Sequence, residues 1–288
     1  MRLPVGSLSF FAVPVLVLGL LQPALAENLN LKMGNPSGAT ADPSNRNNFL
    51  MEKPFFTLSY NDKNGTPNWV SWRLAADDIG TAKRLPFYAD KTLPSGFKVV
   101  SPKDYDRDGF DRGHMCDHGD RSATLEASKA TFVMTNMIPQ APNVNRKAWE
   151  QLESYCRELA KSGKILYTVA GPAGSGGTGS NGSMTGIGAD DQVAVPAKCW
   201  KVIMVLDSDD VTKISASTRM IAVIMPNDMS VGEEWAGFRV SVASVESLTG
   251  YKFFDKVNSS VLATLKAKVD TEAIPAPIPH RSTDDIAH

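Results

Sequence analysis

Cysteine is scarce, with three in 288 residues, so a small fold built from disulfides is excluded. Neither sign of charge is in excess. There are 30 Lys and Arg against 31 Asp and Glu, which excludes a uniformly basic coat for nucleic acid but leaves room for a locally basic groove. Beyond residue 26 no run approaches the roughly 20 apolar residues of a membrane span. Histidine is rarer than the length would suggest, with four residues in all. What is present is ordinary globular composition. The 42% hydrophobic and 21% charged residues exclude a disordered or fibrous chain, and 22 Gly with 18 Pro predict many turns.

The N-terminus reads as an export signal. Arg2 is followed by an apolar stretch, Leu8 to Leu21 (LSFFAVPVLVLGLL), and then by Ala24-Leu25-Ala26. A short positive region, an apolar core below spanning length and a small-x-small site predict cleavage after Ala26. The expected product is secreted or periplasmic, with no membrane anchor after cleavage. At the other end, AIPAPIPHRSTDDIAH has alternating prolines and no apolar period, which predicts a disordered tail over 271–288. Between them, 27–270 reads as one α+β domain.

Within that domain, Pro54–Tyr60 and Trp69–Leu74 flank Asn61-Asp62-Lys63-Asn64-Gly65 and predict a hairpin. Residues 131–135, 165–170, 200–206 and 219–225 read as short buried strands. Trp149, Leu152, Cys156 and Leu159 recur at helical spacing and predict a helix over about 145–161. Weaker patterns predict helices over 241–249 and 259–269. Residues 27–50 read as an irregular arm. Gly174-Ser175-Gly176-Gly177-Thr178-Gly179 matches a dinucleotide-binding pattern in letters only, because the SNGSMTGIGADD that follows cannot start the required helix. It reads as a surface loop.

Two histidines lie in the predicted tail (His280, His288). The other two stand in Asp111-Arg112-Gly113-His114-Met115-Cys116-Asp117-His118. Histidine titrates near neutrality, which suits a general base. Downstream come Thr135-Asn136-Met137-Ile138-Pro139-Gln140, then Asn143, Asn145, Trp149 and Glu153. On an ideal helix, steps of four residues rotate by about 40°, so Asn145, Trp149 and Glu153 fall near one face. An amide oxygen and a carboxylate there are hard ligands of the kind Mg²⁺ takes while keeping several waters. Their axial separation of about 12 Å favours one direct ligand and one acting through water.

This ordered set resembles the DNA/RNA non-specific endonucleases of the ββα-metal, or His-Me finger, superfamily, and the secreted cyanobacterial members especially. Tyr60-Asn61, Pro67–Trp72, Asp90-Lys91-Thr92-Leu93-Pro94 and Leu248-Thr249-Gly250-Tyr251 share in the likeness, which spans about 30–269. The resemblance implies a ββα-metal core within a mixed α/β domain with a central antiparallel sheet. It implies an exported Mg²⁺-dependent endonuclease, with Mn²⁺ as a substitute, that hydrolyses the phosphodiester bonds of DNA and RNA. His114 would be the general base and Asn145 the direct metal ligand, while Glu153 would hold a metal-bound water. Asn136 would orient the His114 ring by a hydrogen bond, and Arg112 would contact phosphate. An upstream cation, Lys83 or Arg84, would stabilise the pentacovalent phosphate, with Arg84 favoured for its planar fork. A protein inhibitor stays undetermined at this point.

The chain departs from the family after the motif, where a small residue and proline usually follow and Cys116-Asp117-His118 stands instead. His114, Cys116 and His118 are all zinc-ligand types, which leaves a zinc cluster as an alternative, with His118 otherwise on a solvated loop. Of the three cysteines, Cys156 reads as a buried thiol and Cys116 with Cys199 as the candidate bridge. Two further functions stay open on the same fold: a non-catalytic nucleic-acid-binding protein and a metal-dependent phosphodiesterase for small substrates.

Overall fold

The computed structural model describes residues 28–257 and 259–274. The predicted export signal, residues 275–288 of the predicted tail, and with them His280 and His288, lie outside the described residues. No helix among the described residues is long and apolar enough to cross a membrane.

The strands in chain order are β1 (Phe49–Glu52), β2 (Thr57–Asn61), β3 (Thr66–Leu74), β4 (Asp111–His114), β5 (Met137–Gln140), β6 (Ile165–Ala173), β7 (Gly177–Gly179), β8 (Gly182–Met184), β9 (Gly186–Ile187), β10 (Val193–Ala194), β11 (Lys198–Leu206) and β12 (Arg219–Pro226). The helices are α1 (Leu125–Thr131), α2 (Glu150–Lys161), α3 (Val242–Thr249) and α4 (Ser259–Ala267).

A six-stranded sheet in the order β1-β2-β3-β6-β11-β12 forms the centre. Every neighbouring pair in it is antiparallel. The β2–β3 hairpin closes where the turn residues predicted it, and Gly65 takes φ 65°, a conformation that costs glycine little. The sheet is covered on both faces. Along β11, Cys199, Ile203 and Val205 join a core shared with Trp72, Trp149 and Leu152. The alternate residues Trp200, Val202, Met204 and Leu206 join a second core with Trp69, Phe253 and the α3–α4 layer. That two-sided burial explains why the inner strands read as nearly continuous apolar runs. Trp69, Trp72, Trp149 and Trp200 are fully buried. Burying a large side chain stabilises by about 1.5–3 kcal/mol, so these four pin both layers to the sheet.

The site-bearing unit packs on the first of these faces. β4 and β5 pair antiparallel, with Asp111 opposite Gln140 and His114 opposite Met137. The chain then turns through a π-helical segment, Val144–Trp149, directly into α2. This is the ββα core that the motif implied.

Four local expectations are corrected. Residues 131–135 form the end of α1 and the start of a 3-10 turn, because Thr131 Oγ1 donates to Ser128 O and Thr135 Oγ1 to Asp90 Oδ2, drawing the chain out of extended geometry. The predicted helix over 145–161 begins as a π turn. The glycine-rich stretch is partly sheet, since β6 runs on to Ala173 and β7 pairs with β8. The N-terminal arm ends in an edge strand, β1.

Candidate active site

His114 stands at the end of β4, 7% exposed. Its ring forms a three-way cluster with two aromatic rings that also touch each other, edge-on to Phe132 at 5.0 Å and tilted to Phe87 at 5.4 Å. Each of those rings also carries an arginine: the Arg84 guanidinium lies 5.2 Å from the Phe132 centroid and that of Arg112 lies 5.4 Å from the Phe87 centroid. His114 Nε2 is buried and has no hydrogen-bond partner among the described residues. Burial, with the Arg84 charge acting in the same direction, pushes the imidazole down to about 3, while Asp117 pulls it up. The ring is therefore neutral near physiological pH and keeps one lone pair open. The motif's glycine has a packing reason. A Cβ on Gly113 would stand 2.3 Å from Gln140 Oε1 across the β4–β5 ladder.

Asn136 does not reach the imidazole, contrary to the expectation from the resemblance. Its Nδ2 donates to Cys116 O and Thr131 O, both at 2.9 Å. Its Oδ1 accepts from Cys116 N at 3.0 Å, and its own carbonyl accepts from Met115 N. The amide thus locks the backbone immediately after His114 rather than the ring itself.

Asn145 lies on the π turn. Its Nδ2 donates to Asp111 Oδ2 at 2.9 Å, and the Asp111 carboxylate also takes a two-pronged ion pair from Arg146. The first residue of β4 therefore ties the start of the helix to the strand that ends at His114. With Nδ2 engaged, the amide is oriented and Oδ1 keeps its acceptor capacity, with no hydrogen bond to a described residue.

Glu153, on the first turns of α2, is 6% exposed. Its Oε1 pairs with Lys201 Nζ at 3.3 Å. Burial pushes its carboxyl up, and the Lys201 ammonium pulls it back toward the charged form. Trp149 and Glu153 do share a face, since both meet Lys201, whereas Asn145 is directed at Asp111. One turn on, Arg157 Nη1 pairs with Asp117 Oδ2 at 2.5 Å and with Asp120 Oδ1 at 3.4 Å. Asp120 Oδ2 accepts from Trp72 Nε1.

Arg112 is held by the loop before β4, with its guanidinium against Phe87. Its Nη2 donates to Asp106 Oδ1 and Pro102 O, while Nη1 makes no hydrogen bond to a described residue. Arg84, rather than Lys83, has its charge in the His114 pocket. His118 is half-buried rather than free on a loop: its Nε2 lies 3.1 Å from Ala82 O and its ring packs on Phe132 at 5.6 Å. The zinc alternative fails on geometry. Cys116 is turned into the core, and no group of three or more His, Cys, Asp or Glu among the described residues is arranged to hold a metal. All three cysteines are buried free thiols, so the Cys116–Cys199 bridge is not formed.

Sequence reasoning missed Asp111, Asp117, Arg157 and Lys201. A lysine within the apolar run WKVIMVL was the one available signal for the last. Asp117 and Arg157 are brought together only by the packing of α2 on the loop after β4.

A family model described as DNA/RNA non-specific endonuclease matches residues 34–260. A nuclease of Nostoc sp. is 45% identical over 246 residues, 84% of this chain and 86% of that protein. Nuclease C1 of Cunninghamella echinulata is 34% identical, covering 78% of this chain and 90% of its own length. A chain in the crystal structure of the EndoG/EndoGI complex superposes with TM-score 0.66 at 29% identity, over 82% of this chain and 94% of that one. With the ββα core already in place, these likenesses settle the identity: the chain belongs to the DNA/RNA non-specific endonuclease family and is a phosphodiester-cleaving hydrolase.

Proposed function

We propose that this endonuclease is exported, depends on Mg²⁺ (with Mn²⁺ as a substitute), and cleaves DNA and RNA with His114 as general base. The observation that carries the reading is the neutral, buried His114 ring whose Nε2 has no partner. An unpaired polar atom in a packed interior is costly and marks a ring kept for function rather than for stability. The export reading rests on Leu8 to Leu21 and Ala24-Leu25-Ala26.

The residues present fit a hard divalent cation. Asn145 offers an oriented amide oxygen as direct ligand, and Glu153 a carboxylate one helical stretch away to hold a coordinated water. When bound, such a cation supplies charge neutralisation at the scissile phosphate and leaving oxygen. The protein's own groups do the rest. Neutral His114 takes a proton from the attacking water, Arg84 offers a planar fork to phosphate oxygens as charge builds on them, and Asn136 keeps the backbone behind His114 from shifting. Arg112 contributes as a nearby positive charge held by Asp106. Asp111 sets the Asn145 rotamer.

His114, Arg84, Asn145 and Glu153 address phosphate, water or metal, Asn136 and Asp111 only hold them, and none is assigned to a base edge, which supports weak sequence preference and tolerance of both sugars. The test is cleavage of double-stranded DNA, single-stranded DNA and RNA across a salt series. All three should be cut, with rates at low substrate falling as salt rises because phosphate contacts release counterions. Refusal of RNA, or cutting at one defined sequence, would overturn the reading. Binding without cleavage would leave a nucleic-acid-binding protein, and activity on small diesters alone would leave a phosphodiesterase.

A further inference from the structure

Lys201 stands in the middle of β11, 1% exposed. Alternation along the strand turns it toward α2 together with Cys199 and Ile203. Its Nζ is 3.3 Å from Glu153 Oε1. It also lies 4.3 Å from the Trp149 ring centroid and 5.6 Å from that of Trp72.

Stability alone is a poor reason for a lysine there. Removing an ammonium from water carries a penalty that one ion pair only partly repays, and well-packed apolar residues often replace buried pairs without loss. The neighbours of Lys201 on this face are apolar, so methionine or leucine would have served the packing. The two indole faces are not idle packing, however. Each attracts the cation through its ring quadrupole, and together they leave Glu153 as the anionic partner it meets. Glu153 Oε1 is thereby occupied, while Oε2 makes no hydrogen bond to a described residue. The carboxylate is held by one oxygen and left with the other to offer.

We propose that Lys201 is a positioning residue of the cleavage reaction, clamped by Trp149 and Trp72 so that it fixes the Glu153 carboxylate and, through it, the water that Glu153 holds on the metal. This rests on the place given to Glu153 above. Lys201 touches neither substrate nor metal. Its charge also reaches the buried Asp120 carboxylate, but its route to the reaction is Glu153, and the inference therefore predicts coupling between the two residues as well as a loss.

The experiment is a double-mutant cycle with Lys201→Met, Glu153→Gln and the double variant. The readouts are kcat and KM on plasmid DNA, and Mn²⁺ affinity measured by electron paramagnetic resonance without nucleic acid. Partners behind a metal site typically govern about 10–100-fold in affinity or activity. Lys201→Met should lose about that much in kcat and in Mn²⁺ affinity, with KM for DNA little changed. The double variant should be no worse than Glu153→Gln, because coupled residues do not add. Lys201→Gln is read in the same way if Lys201→Met does not fold. Wild-type kcat and Mn²⁺ affinity in the Lys201 variant, with Glu153→Gln impaired, would overturn the role of Lys201 alone. Multiplying losses in the double variant would do the same. A fully active Glu153→Gln would instead remove Glu153 from the proposed function, and this inference with it.

Discussion

Replacing His114 with glutamine separates chemistry from folding. The ring makes contacts with Phe132 and Phe87, and aromatic pairs are worth about 0.5–1.5 kcal/mol each beyond their area. Losing both costs about 1–3 kcal/mol, within the roughly 5–15 kcal/mol that holds a domain folded. The variant should therefore fold at neutral pH, while cleavage falls by about 10²–10⁴-fold, the usual share of a general base. Acid stability gives a second signature. The folded ring is pushed down to about 3, below its ordinary value near 6.5. Stability from keeping it neutral is complete above pH ~6.5 and is lost as pH falls towards ~3. The full effect is on the order of 4–5 kcal/mol. His114→Gln lacks it, so its melting temperature should fall less steeply than the wild type's between those pH values. Plasmid relaxation and thermal melts across pH measure both arms. A variant within tenfold of wild-type activity, or one with an unchanged acid slope, would refute the reasoning.

Two other substitutions probe the scaffold around the ring. Asp111→Ala frees the Asn145 amide and leaves Arg146 without its carboxylate. It should weaken Mn²⁺ binding by about 10–100-fold with little change in the melting temperature, as read by calorimetric titration and a melt. Gly113→Ala forces a Cβ to 2.3 Å from Gln140 Oε1. Overpacking of that kind costs about 1–3 kcal/mol, so a denaturant midpoint equal to wild type would show that the β4–β5 ladder yields more easily than its packing implies.

Much of the sheet could be read from the chain because its signals are local. The turn at Asn61–Gly65 sets the β2–β3 hairpin, and the apolar runs of β6, β11 and β12 follow from burial on both faces. The TFVMT run misled because Thr131 and Asn136 spend their side chains on backbone carbonyls and Thr135 on the Asp90 carboxylate, partners such as Asp90 and Cys116 that only the tertiary fold supplies. In the site, His114 and Asn145 were visible as residue types at fixed spacing. What Asn136 holds was not, since the amide bridges two upstream carbonyls, 20 and five residues before it. Arg112 was assigned to phosphate by its place in the motif, yet Asp106 and Phe87 decide where it points. Lys201 and Glu153 are 48 positions apart, and only the stacking of α2 on β11 makes them one unit.

The central claim, a cation held by Asn145 beside a neutral His114, is tested most directly by cleavage rate against Mg²⁺ concentration for wild type and Asn145→Ala. The account predicts no cleavage in EDTA, saturable recovery on adding Mg²⁺, and a half-saturating concentration at least about tenfold higher in the variant. Full wild-type activity in EDTA, or superimposable Mg²⁺ curves for the two proteins, would contradict it.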